Sequence, residues 1–183
     1  MLALALRGLW IARTDTQLPM LGDPEYYHAT AQNIAEGRGY SVECCDQGFK
    51  AGDDSEATAF WSPGFPMALA PFYKLFGSDI HVGKLFNAVA GALTVIPIFL
   101  LARRLTDSAS RSEVVGLFAA FLFAVMPSLV FWTSALLSEP LCGLGIASTL
   151  VIAMWAGERG SIVGFVITAS CSRRRRLCVL RPS

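Results

Sequence analysis

The chain has 183 residues, of which 54% are hydrophobic and only 16% charged, and its mean hydropathy is +0.50. That balance excludes an ordinary soluble domain and points to a lipid environment. The formal net charge of +1 hides a segregation of acids and bases along the chain and gives no reason to expect a nucleic-acid partner.

The first apolar run, Leu2 to Ala12, is too short to cross a bilayer and contains Arg7, so residues 1–13 are read as the remainder of a first span. A signal peptide fits less well, because its basic region should precede the apolar one. Residues 14–83 follow with ten acidic and three basic side chains, the composition of a solvated loop. Within it, "GDPEYYH" predicts a helix start with Asp23 as N-cap, Pro24 in the first helical position and Glu25 in the first turn. Tyr27, Ala31 and Ile34 fall on one face, and Gly37 can end the helix. From Gly37 to Ser62 the sequence is polar and reads as irregular. "WSPGFP" is a second stop and start, after which Met67 to Phe76 can form a short helix along the membrane surface.

Three uncharged runs then predict three spanning helices, Leu85–Ala102, Val114–Ser138 and Pro140–Gly157, within a transmembrane region of residues 84–171. Pro97 and Pro127 do not argue against this, since spanning helices tolerate proline. Asn87 is expected to make a helix-to-helix hydrogen bond. The run Ser161 to Cys171 is too short to span. The bases Arg103, Arg104, Arg111 and Arg159 gather on one side, which the positive-inside rule makes cytoplasmic, and residues 14–83 then face outside. Trp10, Phe131, Trp132 and Trp155 suit interfacial belts. The expected fold is all-α: a polytopic membrane protein with a large helical outer loop.

Cys44, Cys45, Cys142, Cys171 and Cys178 show neither a CxxC nor a Cys/His ligand spacing, and His28 and His81 are too sparse for a zinc site. "GRGYS" lacks the strand, lysine and spacing of a phosphate loop. Taken alone, Asp23-Pro24-Glu25 is explained by helix capping, and Glu139 by the interfacial end of a span.

The order of segments says more than any one of them. A first span, "GDPEYYHATAQNIAEGRGYS", "ATAFWSPGFPMALAPFYKLFG", "KLFNAVAGALTVIPIFLLARRL" and "AAFLFAVMPSLVFWTSALLSEPL" together resemble the N-terminal part of a GT-C type membrane glycosyltransferase. The nearest branch is the bacterial one related to protein O-mannosyltransferases and the lipid A aminoarabinose transferase, and the resemblance runs from Leu6 to Gly160. It implies an enzyme of the cytoplasmic membrane that moves a sugar from a polyprenyl-phosphate donor to a lipid, glycan or protein acceptor at the outer face. Asp23 matches the family's essential loop aspartate and Glu25 the adjacent acidic position. Ser138-Glu139 matches the "SE" near the active cavity, and Pro63 to Pro66 the turn beside its entrance.

Chemically, a positioned carboxylate can take the acceptor's proton as it attacks the anomeric carbon, and Asp23 is the candidate base. Glu25 can stabilise the oxocarbenium-like centre, orient Asp23, or help hold a divalent cation against the phosphate. Tyr27 can stack on sugar or lipid. Arg38, Lys74 and Lys84, with Arg13, are the bases available to the departing phosphate, and the substrate-binding set is Tyr27, Arg38, Lys84 and Glu139. The competing class is a non-enzymatic polytopic membrane protein or a transporter fragment, which should carry ionisable residues or broken helices near the midplane.

After Gly160 the sequence departs from the family. "SIVGFVITAS" begins like a further span but gives way to the basic tail 172–183, expected to be a frameshifted or truncated end that leaves the product inactive alone. Translating the DNA beyond Thr168 in the other frames tests that expectation.

Overall fold

In the computed structural model, residues 1–14, 22–41, 62–105 and 109–158 are described, and they form an all-α membrane protein. The helices are α1 (Leu2–Arg13), α2 (Asp23–Ala35), α3 (Gly64–Phe76), α4 (Ile80–Leu93), α5 (Val95–Arg103), α6 (Ala109–Val125), α7 (Pro127–Phe131) and α8 (Glu139–Glu158), with a 3-10 turn at Trp132–Ser134. The polar stretch beyond Ser41, Cys44 and Cys45, Arg159, the run from Ser161 and the tail 172–183 lie outside the described residues.

The start of α2 lies one residue earlier than its sequence signals suggest. Gly22 is the N-cap, with φ +84°, and its carbonyl accepts the first helical bond from Tyr26 N at 3.2 Å. Asp23 is therefore the first helical residue and Pro24 the second, where a missing N–H still costs nothing. A left-handed backbone that glycine alone adopts readily lets the chain turn in before Asp23 is needed as a cap. The other end follows the sequence closely. Gly37, at φ +82°, sends its N–H to Ile34 O (3.1 Å), and Arg38 sends its own to Asn33 O (2.8 Å), the paired bonds of a Schellman motif.

Among the described residues, two unbroken segments are long and apolar enough to cross a membrane, Ile80–Arg103 and Glu139–Gly157. The first begins before Lys84 because Asp79 caps it, its carboxylate accepting from His81 N at 2.7 Å. It passes from α4 to α5 at Thr94. There Pro97 withholds the N–H that Leu93 O would otherwise receive. Thr94 Oγ1 bonds back to Ala90 O at 2.9 Å and keeps the join compact.

The expected span Val114–Ser138 is a bent pair of helices rather than one continuous helix. The pair Arg111–Val125 and Pro127–Ser134 is bent by 51°. Pro127 removes one helical donor, and the residue before a proline is driven out of the α region, as the ψ of 115° at Met126 records. Pro97 is absorbed within a continuous segment, whereas Pro127 breaks one.

Packing places α5 against α6, α2 against α3, and α4 against α1, α3 and α8. The clearest core joins α2, α3 and the turn before α8 through Tyr26, Tyr27, Ala31, Phe65, Leu69, Tyr73 and Leu136. Gly83 admits that contact: a Cβ there would lie 2.7 Å from Tyr73 Oη and 2.9 Å from a Leu136 methyl. Beyond it, α6 and α8 present Leu117, Phe118, Phe121, Ile146 and Leu150 outward, as helices bathed in lipid do.

Candidate functional site

The sequence-derived site residues fall on three elements. Asp23, Glu25 and Tyr27 lie in the first turns of α2, Lys84 on α4, and Glu139 at the start of α8, while Arg38 follows the cap of α2. Asp23 and Tyr27, four residues apart, share a face that Glu25 does not. Tyr27 is buried edge-on to Phe65, ring centroids 5.1 Å apart, so it serves the core between α2 and α3. Asp23 is half-buried and makes no hydrogen bond or ion pair among the described residues.

Arg38 is drawn into the loop's own structure. Its Nε and Nη2 donate to Asn33 Oδ1 at 3.1 and 2.6 Å, and it pairs with Glu36. Asn33 in turn donates to Ser41 O at 2.9 Å, closing the chain over the helix end.

Lys84 has a different setting from the exposed base that its place in the sequence suggests. It is 2% exposed within a spanning segment, and its Nζ has no hydrogen-bond partner among the described residues. One turn along, Asn87 Nδ2 donates to Ala135 O (2.8 Å) and Leu137 O (3.2 Å), so the hydrogen bond expected between helices runs instead from α4 to non-helical backbone. Those carbonyls belong to the unwound stretch leading to Glu139, so Asn87 ties α4 to the approach of that carboxylate. Glu139 itself is exposed, in the first turn of α8, where the helix dipole favours an acid. No hydrogen bond or ion pair among the described residues joins Asp23 to Lys84 or Glu139.

Sequence reasoning passed over two features. His28 Nδ1 and Tyr73 Oη are 2.7 Å apart and hold α2 to α3. Burial lowers the His28 pKa against an opposing pull from Asp79, and burial followed by Asp79 raises that of Tyr73. Burial and a hydrogen bond to Tyr26 likewise raise the Tyr40 phenol. The second is Arg7, read only as an interruption of an apolar run. It is 1% exposed, donates through Nη1 to Ala3 O (3.1 Å) and Ala124 O (3.4 Å), and lines a cavity of about 370 Å³ with Glu139. A charge inside an apolar helix was the signal available.

For a divalent cation, no group of three His, Cys, Asp or Glu side chains within metal reach occurs among the described residues. Any cation at Asp23 and Glu25 would take its remaining ligands from substrate phosphate or water.

The deciding comparison is at the level of family. Residues 61–171, more than half of the chain, match the profile of the dolichyl-phosphate-mannose-protein mannosyltransferases. The chain belongs to that family. Neither a curated protein nor a solved structure matches it. Membership makes it a GT-C type, mannosyltransferase-like membrane protein. The matched stretch contains α3, Lys84, the bent α6–α7 pair and Glu139, and it begins after Asp23 and Glu25.

Proposed function

We propose that the protein works as a glycosyltransferase at the outer face of the cytoplasmic membrane, passing a sugar from a polyprenyl-phosphate donor to a lipid, glycan or protein acceptor. Its family supports the class of reaction, and one observation carries the site: a helix N-terminus presents Asp23 with its carboxylate unengaged among the described residues. The acceptor hydroxyl attacks the anomeric carbon, its proton passes to Asp23, and the bond to the phosphate oxygen breaks with its electron pair leaving on the carrier. Glu25 stands beside the base, to orient it, to face the developing positive charge, or to help hold a divalent cation.

For the departing phosphate, Lys84 is the strongest cation. Burying an unpaired ammonium in a spanning helix is costly unless a ligand's charge answers it. Arg38 is better suited to hold the loop, and Tyr27 to support the base from the core. Glu139, at the start of α8, lines a cavity with Arg7. In this reading residues 14–83 lie outside and 84–171 supply the transmembrane helices.

The test is sugar transfer from a polyprenyl-phosphate donor in membranes bearing the protein. Asp23→Asn should lower turnover by about 10²- to 10⁴-fold, the usual worth of a positioned general base. Near-normal turnover in that variant sinks the assignment.

A transporter-like reading gains from the 51° break and from buried Arg7 and Lys84, features that transporters place within the membrane. Family membership weighs against it. Protein-dependent flux of a lipid-linked sugar across vesicles, without transfer, would favour it.

A further inference from the structure

Arg7 and Glu139 carry opposite charges and line the same cavity, yet they do not pair. Its remaining walls are mainly apolar, with Phe123, Leu129, Trp132 and Leu137 among them. Arg7 Nε has no acceptor, and among the described residues no carboxylate lies within ion-pair distance of Arg7. Two backbone carbonyls on Nη1 leave most of the guanidinium's charge uncompensated. An arginine inside a membrane protein ordinarily finds an anion, because desolvating it alone costs several kcal/mol.

The missing partner has a definable chemistry. A simple anion would satisfy Arg7 and be repelled by Glu139, and a simple cation would do the reverse. A headgroup with a phosphate at one end and an ammonium at the other satisfies both. About 370 Å³ lies at the small end of ligand sites, the size of a headgroup with the start of its chains.

We propose that this cavity holds the headgroup of a phosphoethanolamine phospholipid drawn below the membrane interface. The phosphate accepts hydrogen bonds from Arg7, the primary ammonium donates to Glu139, and the acyl chains leave along the apolar walls. The inference rests on the cavity alone: the outcome with Asp23→Asn does not bear on it, and its own failure leaves the transferase reading standing.

Trp132 in the cavity wall provides the readout. The purified protein in detergent micelles is titrated with phosphatidylethanolamine, phosphatidylcholine and phosphatidylglycerol while intrinsic fluorescence is followed, with Trp132→Phe as the reference for signal from elsewhere. Phosphatidylethanolamine should bind about tenfold more tightly than either other lipid, since phosphatidylglycerol lacks the ammonium and phosphatidylcholine's cannot donate a hydrogen bond. Arg7→Met should weaken that binding by about tenfold, Arg7→Lys by less, and Glu139→Gln should remove the preference over phosphatidylglycerol. Glu139 is exposed, so its glutamine variant decides the matter should Arg7→Met fail to fold. Equal affinities for the three lipids, a preference that survives Glu139→Gln, or a fluorescence change that persists in Trp132→Phe would each overturn the proposal.

Discussion

The α2–α3 pair and the apolar bundle treat buried polarity in opposite ways. Between α2 and α3, His28 meets Tyr73, Asn33 meets Ser41 and Arg38, and the aromatic rings close edge to face. Among the described residues, the unanswered buried atom there is a single hydroxyl, that of Thr30. In the bundle the unanswered atoms among the described residues are Arg7 Nε, Lys84 Nζ and Asn87 Oδ1, two of them on cations. A stray hydroxyl costs little, whereas a stray charge in an apolar helix is expensive enough to need a purpose. The pair satisfies nearly all of its buried polar groups, whereas the bundle leaves atoms of two cations without a partner among the described residues.

Replacing Lys84 tests that contrast most severely. Lys84→Met should lower sugar transfer by at least about tenfold while leaving thermal stability equal or higher, because a costly charge is removed together with a ligand contact. A fall in stability matching the loss of transfer would make Lys84 structural and break the contrast. Gly83→Val should destabilise the junction between pair and bundle by about 1–3 kcal/mol, since added carbons meet Tyr73 and Leu136, and denaturant unfolding measures it. Asn87→Leu should cost about 1 kcal/mol in the same assay by freeing the carbonyls of Ala135 and Leu137.

The smallest effect is a matter of pH. Burial holds the folded-state pKa of His28 below the ordinary 6.5, so the unfolded chain takes up a proton first as pH falls. That contribution is complete above about 6.5 and declines as pH drops from there toward the folded value. Unfolding curves at about pH 7.5 and 5 should differ less in His28→Phe than in the parent protein.

Much of the fold was legible because it rests on local rules. The glycine that ends α2, the helix after "WSPGFP" and the partner-seeking Asn87 follow from backbone preferences and from the intolerance of apolar surroundings for unpaired amides. Pro127 shows where such rules stop. Its sequence signal equals that of Pro97, and whether a proline is absorbed or breaks the helix depends on neighbours: Thr94 secures one join, while at the other Met126 turns out and the carbonyl of Ala124 accepts from Arg7. For the candidate site, the sequence names residue types but not how they are arranged. Arg38 looked available and is engaged by Asn33 and Glu36, while Arg7 looked incidental and lines a cavity with Glu139. Both outcomes depend on contacts that a linear reading does not display.

The hold of α1 on the broken segment also bears on how the chain is made. Arg7 meets Ala124 across 117 positions, and the Trp10 indole donates to Ser134 Oγ across 124, with its ring against Phe131. During synthesis α1 therefore emerges well before the groups it bonds to, and the Arg7 contact with Ala124 can form only once the segment leading to Pro127 has been made. The contact between α1 and the bend therefore joins segments far apart in the sequence, and a chain lacking α1 would form the bend without its Arg7 and Trp10 partners.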